Sequence, residues 1–173
     1  MGGWPLQALP EEEPVMNNSQ AKWALCGLLF LATTLNYLDR QTMAVLGTEV
    51  IKDLGLNNES LGWLFAIFYY SYTFAQFGVG AVLDRTNLRW AYGIGVIAWS
   101  LAAAGSGLAA GFAALFALRL MLGVTESVNW PAAIRVVSRS FPAEQRALGN
   151  GFFTSGTSVG ALIAPALILG ISQ

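Results

Sequence analysis

Apolar residues in this chain gather into long blocks instead of alternating with polar ones. Five blocks stand out: Trp23–Leu46, Leu61–Leu83, Trp90–Ala110, Phe112–Val137 and Ala147–Ile171. Each is 21 to 26 residues long, and about 20 helical residues cross the hydrocarbon core of a bilayer. Lipid offers no partner for an unpaired backbone amide, so each block is expected to be a helix. The pattern predicts an all-α integral membrane protein with five transmembrane helices. Residues 1–21, with Glu11-Glu12-Glu13 and three prolines, read as a disordered tail ahead of a membrane domain over 22–173. The tail is not a signal peptide, because no basic stretch precedes an apolar core in it.

The segments between the blocks set the orientation. Lys22, Arg85, Arg89, Arg135, Arg139 and Arg146 fall at one end of the predicted bundle, whereas the other end holds Lys52 alone, among Glu49, Asp53 and Glu59. Basic residues concentrate on the cytoplasmic side, so the amino terminus is expected in the cytoplasm.

Composition removes several chemistries. Only 11% of the 173 residues are charged, against about a quarter in soluble domains. Histidine is absent and Cys26 is the one cysteine, which excludes serine–histidine and cysteine–histidine nucleophiles, an internal disulfide and cysteine-based metal clusters. No metal or organic cofactor is expected, and neither is an enzymatic reaction. Without a basic stripe, nucleic acid is not an expected partner.

The informative residues are charges inside the apolar blocks. Asp39 and Arg40 lie in the first block, and Arg119 and Glu126 lie in the fourth, seven residues apart with Gly123 between them. Seven residues are close to two helical turns, so Arg119, Gly123 and Glu126 share a face. A charge at the bilayer centre costs at least about 2.5 kcal/mol on insertion scales. Two buried ion pairs that merely hold the bundle are the plain alternative, but such pairs seldom stabilise more than packed apolar groups. A polar cavity for an anionic, protonatable cargo accounts for the expense better. The acidity of a buried carboxylate responds both to desolvation and to a neighbouring arginine. With Asp39 beside Arg40 and Glu126 below Arg119, an arriving anion or an opening cavity could therefore switch either acid.

Other side chains suggest binding. Tyr72 and Gln76 in the second block are one turn apart and offer a hydroxyl and an amide; Asn129 and Thr157 are weaker candidates of the same kind. Aromatic packing and helix–helix hydrogen bonding are the alternatives there. In the fifth block Gly156, Gly160 and Ala164 recur every four residues, a stripe that admits a close helix neighbour. Pro131 and Pro165 are expected kinks.

Three motifs resemble a known family. Gly80-Ala-Val-Leu-Asp84-Arg85-Thr-Asn-Leu-Arg89 is similar to the G-x-x-x-D-R-x-x-x-R signature of the major facilitator superfamily, and Arg119-Leu-Met-Leu-Gly123 resembles its second signature on helix four. Asn36-Tyr37-Leu38-Asp39-Arg40 and Gly123-Val-Thr-Glu126-Ser-Val-Asn129-Trp-Pro-Ala-Ala133 resemble the anion:cation symporter family, including its bacterial hexuronate, glucarate and galactonate transporters. The resemblance implies a twelve-helix fold of two six-helix halves around a midplane site. It implies that Asp39 and Glu126 are proton sites, that Arg119 tunes Glu126, and that Arg40 grips a sugar-acid carboxylate beside Tyr37 and Tyr72. It also implies that Gly80, Asp84, Arg85 and Arg89 form a conformational latch. Arginine suits a carboxylate because its planar fork can meet both oxygens. The implied partners are a small organic anion, protons and the bilayer of a bacterial inner membrane. The resemblance covers only five helices of the first half, so the chain is expected to be an amino-terminal fragment whose missing carboxy-terminal half is encoded or supplied elsewhere. A different carboxylate, inorganic phosphate, sodium coupling, or a non-transporting scaffold assembled through the glycine stripe are the alternatives.

Overall fold

The computed structural model describes residues 18–171, so the tail expected before Asn18 lies outside the described residues, as do the last two positions. Six helical segments form five rods: α1 (Ser19–Asp53), α2 (Asn58–Arg85), α3 (Leu88–Ser106), α4 (Phe112–Glu126), α5 (Asn129–Ser140) and α6 (Ala143–Ile171). No strand occurs among the described residues. The fold is thus the expected all-helical membrane architecture. Three rods, Ser19–Asp53, Phe112–Ser140 and Ala143–Ile168, are long and apolar enough by themselves to cross a membrane.

Local chemistry explains where helices begin and end. Asparagine caps three of them: the side chains of Asn18, Asn57 and Asn87 accept from the amides of Gln20, Ser60 and Arg89 at 3.0, 2.8 and 3.0 Å, satisfying amides that have no partner inside the helix. The cap at Asn18 starts α1 four residues before the first apolar block, so residues 19–21 are helix and not tail. At its other end α1 runs seven residues beyond Leu46, to Asp53. It stops at Gly55, whose φ of 63° is the single left-handed value among the described residues. The amides of Gly55 and Leu56 fold back to the carbonyls of Lys52 and Ile51 at 3.1 and 2.7 Å, closing the helix in the left-handed turn that glycine permits.

The fourth apolar block is one rod with a break at Ser127–Val128. Pro131 has no amide to give the Ser127 carbonyl, and its ring crowds that oxygen, so the regular ladder fails one turn upstream. Ser127 turns its own hydroxyl to the Val124 carbonyl at 2.6 Å. Pro165, by contrast, lies inside an unbroken α6.

α1 packs chiefly on α6, α2 on α4, and α3 on α4. The glycine stripe makes the first of these contacts. A Cβ on Gly156 would stand 2.6 Å from the Phe30 carbonyl oxygen, and one on Gly160 would stand 2.7 Å from that of Thr34. Gly123 does the same for α4 against α2, where a Cβ would strike Ser71 and the Phe68 carbonyl. Small residues therefore bring backbones together where lipid supplies no hydrophobic drive between helices. The stripe faces α1 within the chain, which takes away the surface on which a scaffold assembled through it would depend. Large apolar side chains such as Phe77, Leu101, Leu108 and Leu162 point outward with exposures of 68–86%, as suits a lipid-facing surface.

Candidate functional site

Two close approaches build the site. Gly160 seats Thr34 and Tyr37 of α1 against α6, and Gly123 seats Phe68, Ser71 and Tyr72 of α2 against α4. Between them, Arg40 reaches from α1 to Glu126 at the end of α4, with Nε 3.0 Å from Oε2. The rings of Tyr72, Phe68 and Tyr37 lie 4.4, 5.3 and 5.4 Å from the guanidinium carbon. Aromatic faces are negative at their centres, so the three rings share with Glu126 the work of holding a desolvated cation. The Arg40 side chain keeps 17% of its exposure, whereas that of Glu126 keeps 1%. Arg40 is the accessible member of the pair.

The pairing differs from the one expected along each helix. Glu126 bonds to Arg40 on another helix, not to Arg119 on its own. Arg119 instead borders, together with Asp39, a cavity of about 230 Å³ between α1, α3 and α4. Arg119 is buried at 7% exposure. Among the described residues four buried side-chain polar atoms have no hydrogen-bond partner: Arg119 Nε, Glu126 Oε1, Asn36 Nδ2 and Asn150 Oδ1. An unmade hydrogen bond on a buried group costs about 1–3 kcal/mol, more when the group is charged. The first three lie on the helices that carry the charges, so the cost concentrates around the site.

The other expected site residues divide. Tyr37 and Tyr72 join Arg40 directly. Asn129 is buried and committed within the bundle: its Oδ1 accepts from the Tyr92 hydroxyl at 2.8 Å, and its Nδ2 lies 3.5 Å from the Thr33 hydroxyl oxygen. Gln76 is exposed on α2, and Thr157 donates to the Thr154 carbonyl of its own helix at 2.8 Å. Neither touches the Arg40 cluster. At one end of the bundle Asp84 pairs with Arg135 of α5 at 2.7 Å, and Arg135 also donates to the Gly80 carbonyl at 3.3 Å. Gly80 and Asp84 are thereby tied to α5, while Arg85 and Arg89 are exposed. Sequence reasoning passed over Phe68, Tyr92 and Thr33. Thr33, Asn36 and Arg40 recur at three- and four-residue intervals along α1, which is the signal that would have marked Thr33.

Buried charges on apolar helices of this kind belong to a polytopic membrane protein. The Major Facilitator Superfamily profile matches residues 29–173, and the chain belongs to that family. It is 34% identical over 142 residues to a D-galactonate transporter of Escherichia coli, covering 82% of this chain and 33% of the relative. It is 30% identical over 148 residues to a hexuronate transporter of Escherichia coli, covering 86% of this chain and 34% of the relative. Among solved structures it resembles a bacterial homolog of the human lysosomal transporter Spinster in an inward-facing, unoccupied conformation. The TM-score is 0.79 and the identity 25%, over 85% of this chain and 31% of that one. The chain thus spans about a third of the length of these relatives. They are named as transporters, not enzymes, which agrees with the expectation that no enzymatic reaction is involved.

Proposed function

We propose that the chain is the amino-terminal portion of a proton-coupled symporter that carries a sugar acid, such as a hexuronate, into a bacterial cell across the inner membrane, with its amino terminus in the cytoplasm. The observation that carries this reading is the Arg40–Glu126 pair inside an aromatic collar. Arg40 meets Glu126 through Nε alone, so its terminal amino groups are the part of the fork left to face an incoming carboxylate. The sugar-acid names of the relatives favour that class of anion.

The pair also supplies a coupling mechanism. A substrate carboxylate that engages Arg40 competes with Glu126 for the same cation. Glu126 is then left as a buried carboxylate whose desolvation is no longer offset, and an uncompensated buried charge costs several kcal/mol. Taking a proton removes that charge. Substrate binding and protonation of Glu126 therefore favour one another, and Asp39 beside Arg119 is a second acid of the same kind. Alternating access would rock this half against the half that completes the fold.

The test is uptake by proteoliposomes holding the chain together with its completing half. Labelled galactonate, galacturonate, glucarate and phosphate are offered with and without an inward proton gradient. Accumulation of a sugar acid that needs the gradient and is lost in Arg40→Ala is the expected result. Glu126→Gln and Asp39→Asn should keep exchange and lose accumulation. Undiminished uphill uptake by both neutralised variants would refute proton coupling through these acids, and uptake that follows a sodium gradient would reassign the driving ion.

A further inference from the structure

The cavity beside Asp39 is separate from the aromatic collar around Arg40, and its position is informative. Along α1 its wall runs from Asp39 through Thr42 and Leu46 to Val50, four residues short of Leu54. Ser106 and Gly107 at the end of α3 close the same side. The cavity thus reaches from Asp39 toward the end of the bundle where α1 joins α2. Leucine, methionine and alanine make up much of its lining, yet Asp39, Thr42, Ser106 and Arg119 all border it.

The size suits water, and four polar residues interrupt an otherwise apolar lining. At about 30 Å³ per molecule, 230 Å³ has room for roughly seven waters. A buried water needs two to four polar partners, and the cavity offers them. Asp39 and Arg119 border it along with Thr42 and Ser106. Thr42 and Ser106 give their hydroxyl protons to the Leu38 and Ala102 carbonyls, each at 2.9 Å. Their oxygens can therefore only accept, which fixes how a neighbouring water must point.

We propose that this cavity is a hydrated antechamber through which protons reach Asp39 from the α1–α2 end of the bundle, without passing the Arg40–Glu126 pair. A proton leaves a hydronium outside and hops along the waters to the Asp39 carboxylate, so one proton is delivered and water remains behind. Thr42 and Ser106 anchor that file. Arg119 is the charged side chain that faces Asp39 across the cavity; Arg40 and Glu126 lie on the other side, and the α3 wall contributes no charge. The Arg119 cation discourages a hydronium from residing in the cavity, which makes the file a path and not a store. Cargo and proton then approach from different sides of α1.

This inference rests on the reading of Asp39 as a proton carrier, and the experiment separates the two. The chain is reconstituted together with its completing half in lipid nanodiscs, and the Asp39 carboxyl is assigned as the infrared band that Asp39→Asn removes. Its hydrogen–deuterium exchange is then timed after a jump into deuterated buffer. The cavity-filling Ala103→Phe and the near-isosteric pair Thr42→Val with Ser106→Ala should each slow exchange at least about tenfold, a barrier rise of about 1.4 kcal/mol. In a Cys26→Ser background, Ser106→Cys should react with a membrane-impermeant thiol reagent. An exchange rate unchanged in both blocked forms, or an unreactive Ser106→Cys, would overturn the route. If Asp39→Asn removes no carboxyl band at any pH, the proton-carrier reading falls and takes the route with it.

Discussion

Arg40 is held by a carboxylate and by three rings, and these supports respond differently to substitution. Arg40→Lys keeps a cation for Glu126 but loses the planar fork and the stacking surface. It should therefore leave folding nearly intact while weakening sugar-acid affinity about tenfold or more, read as the substrate concentration that gives half-maximal uptake. Arg40→Ala leaves Glu126 unpaired in a site with 1% exposure. Removing one partner of a buried pair costs roughly 3–5 kcal/mol, so thermal unfolding in detergent should show a large loss, mostly recovered in the Arg40→Ala/Glu126→Gln double variant. Equal stabilities for the single and double variants would mean that Glu126 is not held as a carboxylate by Arg40. That these side chains matter is legible in the sequence, because charges inside apolar blocks are expensive wherever they occur. Their partners are not legible, because helical spacing relates residues of one helix only. Arg40 and Glu126 are 86 positions apart, and their meeting depends on how α1 and α4 are rotated by packing against α6 and α2.

That packing is set by glycines, so the next consequences fall on helix pairs. Gly160→Leu places a side chain where a Cβ alone would approach the Thr34 carbonyl oxygen to 2.7 Å and the Tyr37 Cβ to 2.9 Å. Overpacking of this kind costs typically 1–3 kcal/mol and would push Tyr37 off its seat beside Arg40. Melting temperature and substrate affinity should fall together, whereas Gly151→Leu, at an exposed position of the same helix with open space around it, should change neither. The Asp84–Arg135 pair gives a contrasting case. Asp84 keeps 67% of its side-chain exposure, and such surface pairs contribute about 0–1 kcal/mol. Asp84→Asn should leave the melting temperature almost unchanged. Arg135→Ala should cost more, because Arg135 also donates to the Gly80 carbonyl in the last turn but one of α2. Helix number and approximate placement follow from the apolar blocks. The ends of α1 do not, since an asparagine cap and a glycine turn extend it past its apolar residues. The α4–α5 break is legible as a consequence of Pro131, but the same argument applied to Pro165 finds α6 continuous. A proline disrupts a helix as far as its surroundings allow, and those surroundings are tertiary.

For the whole molecule, the charges at the two ends of the bundle bear on the proposed orientation. The ends of α2 and α5 and the starts of α3 and α6 share one end, carrying Arg85, Arg89, Arg135, Arg139 and Arg146; the α1–α2 turn at the other end holds Lys52 beside Asp53. Each juxtamembrane basic residue near an anionic leaflet contributes about 1 kcal/mol, so five against one support the proposed cytoplasmic placement of the arginine-rich end. With Cys26→Ser as the background, a cysteine at Asn87, in the exposed α2–α3 turn, should be protected from an impermeant thiol reagent in intact cells and react after lysis. A cysteine at Asn58, the first residue of α2 and also exposed, should react from outside. The reverse pattern would invert the topology, and it would also move the mouth of the Asp39 cavity to the cytoplasm. Uptake driven by an inward proton gradient requires that mouth to face outward, so this labelling result bears on the direction of transport as well as on the placement of the chain.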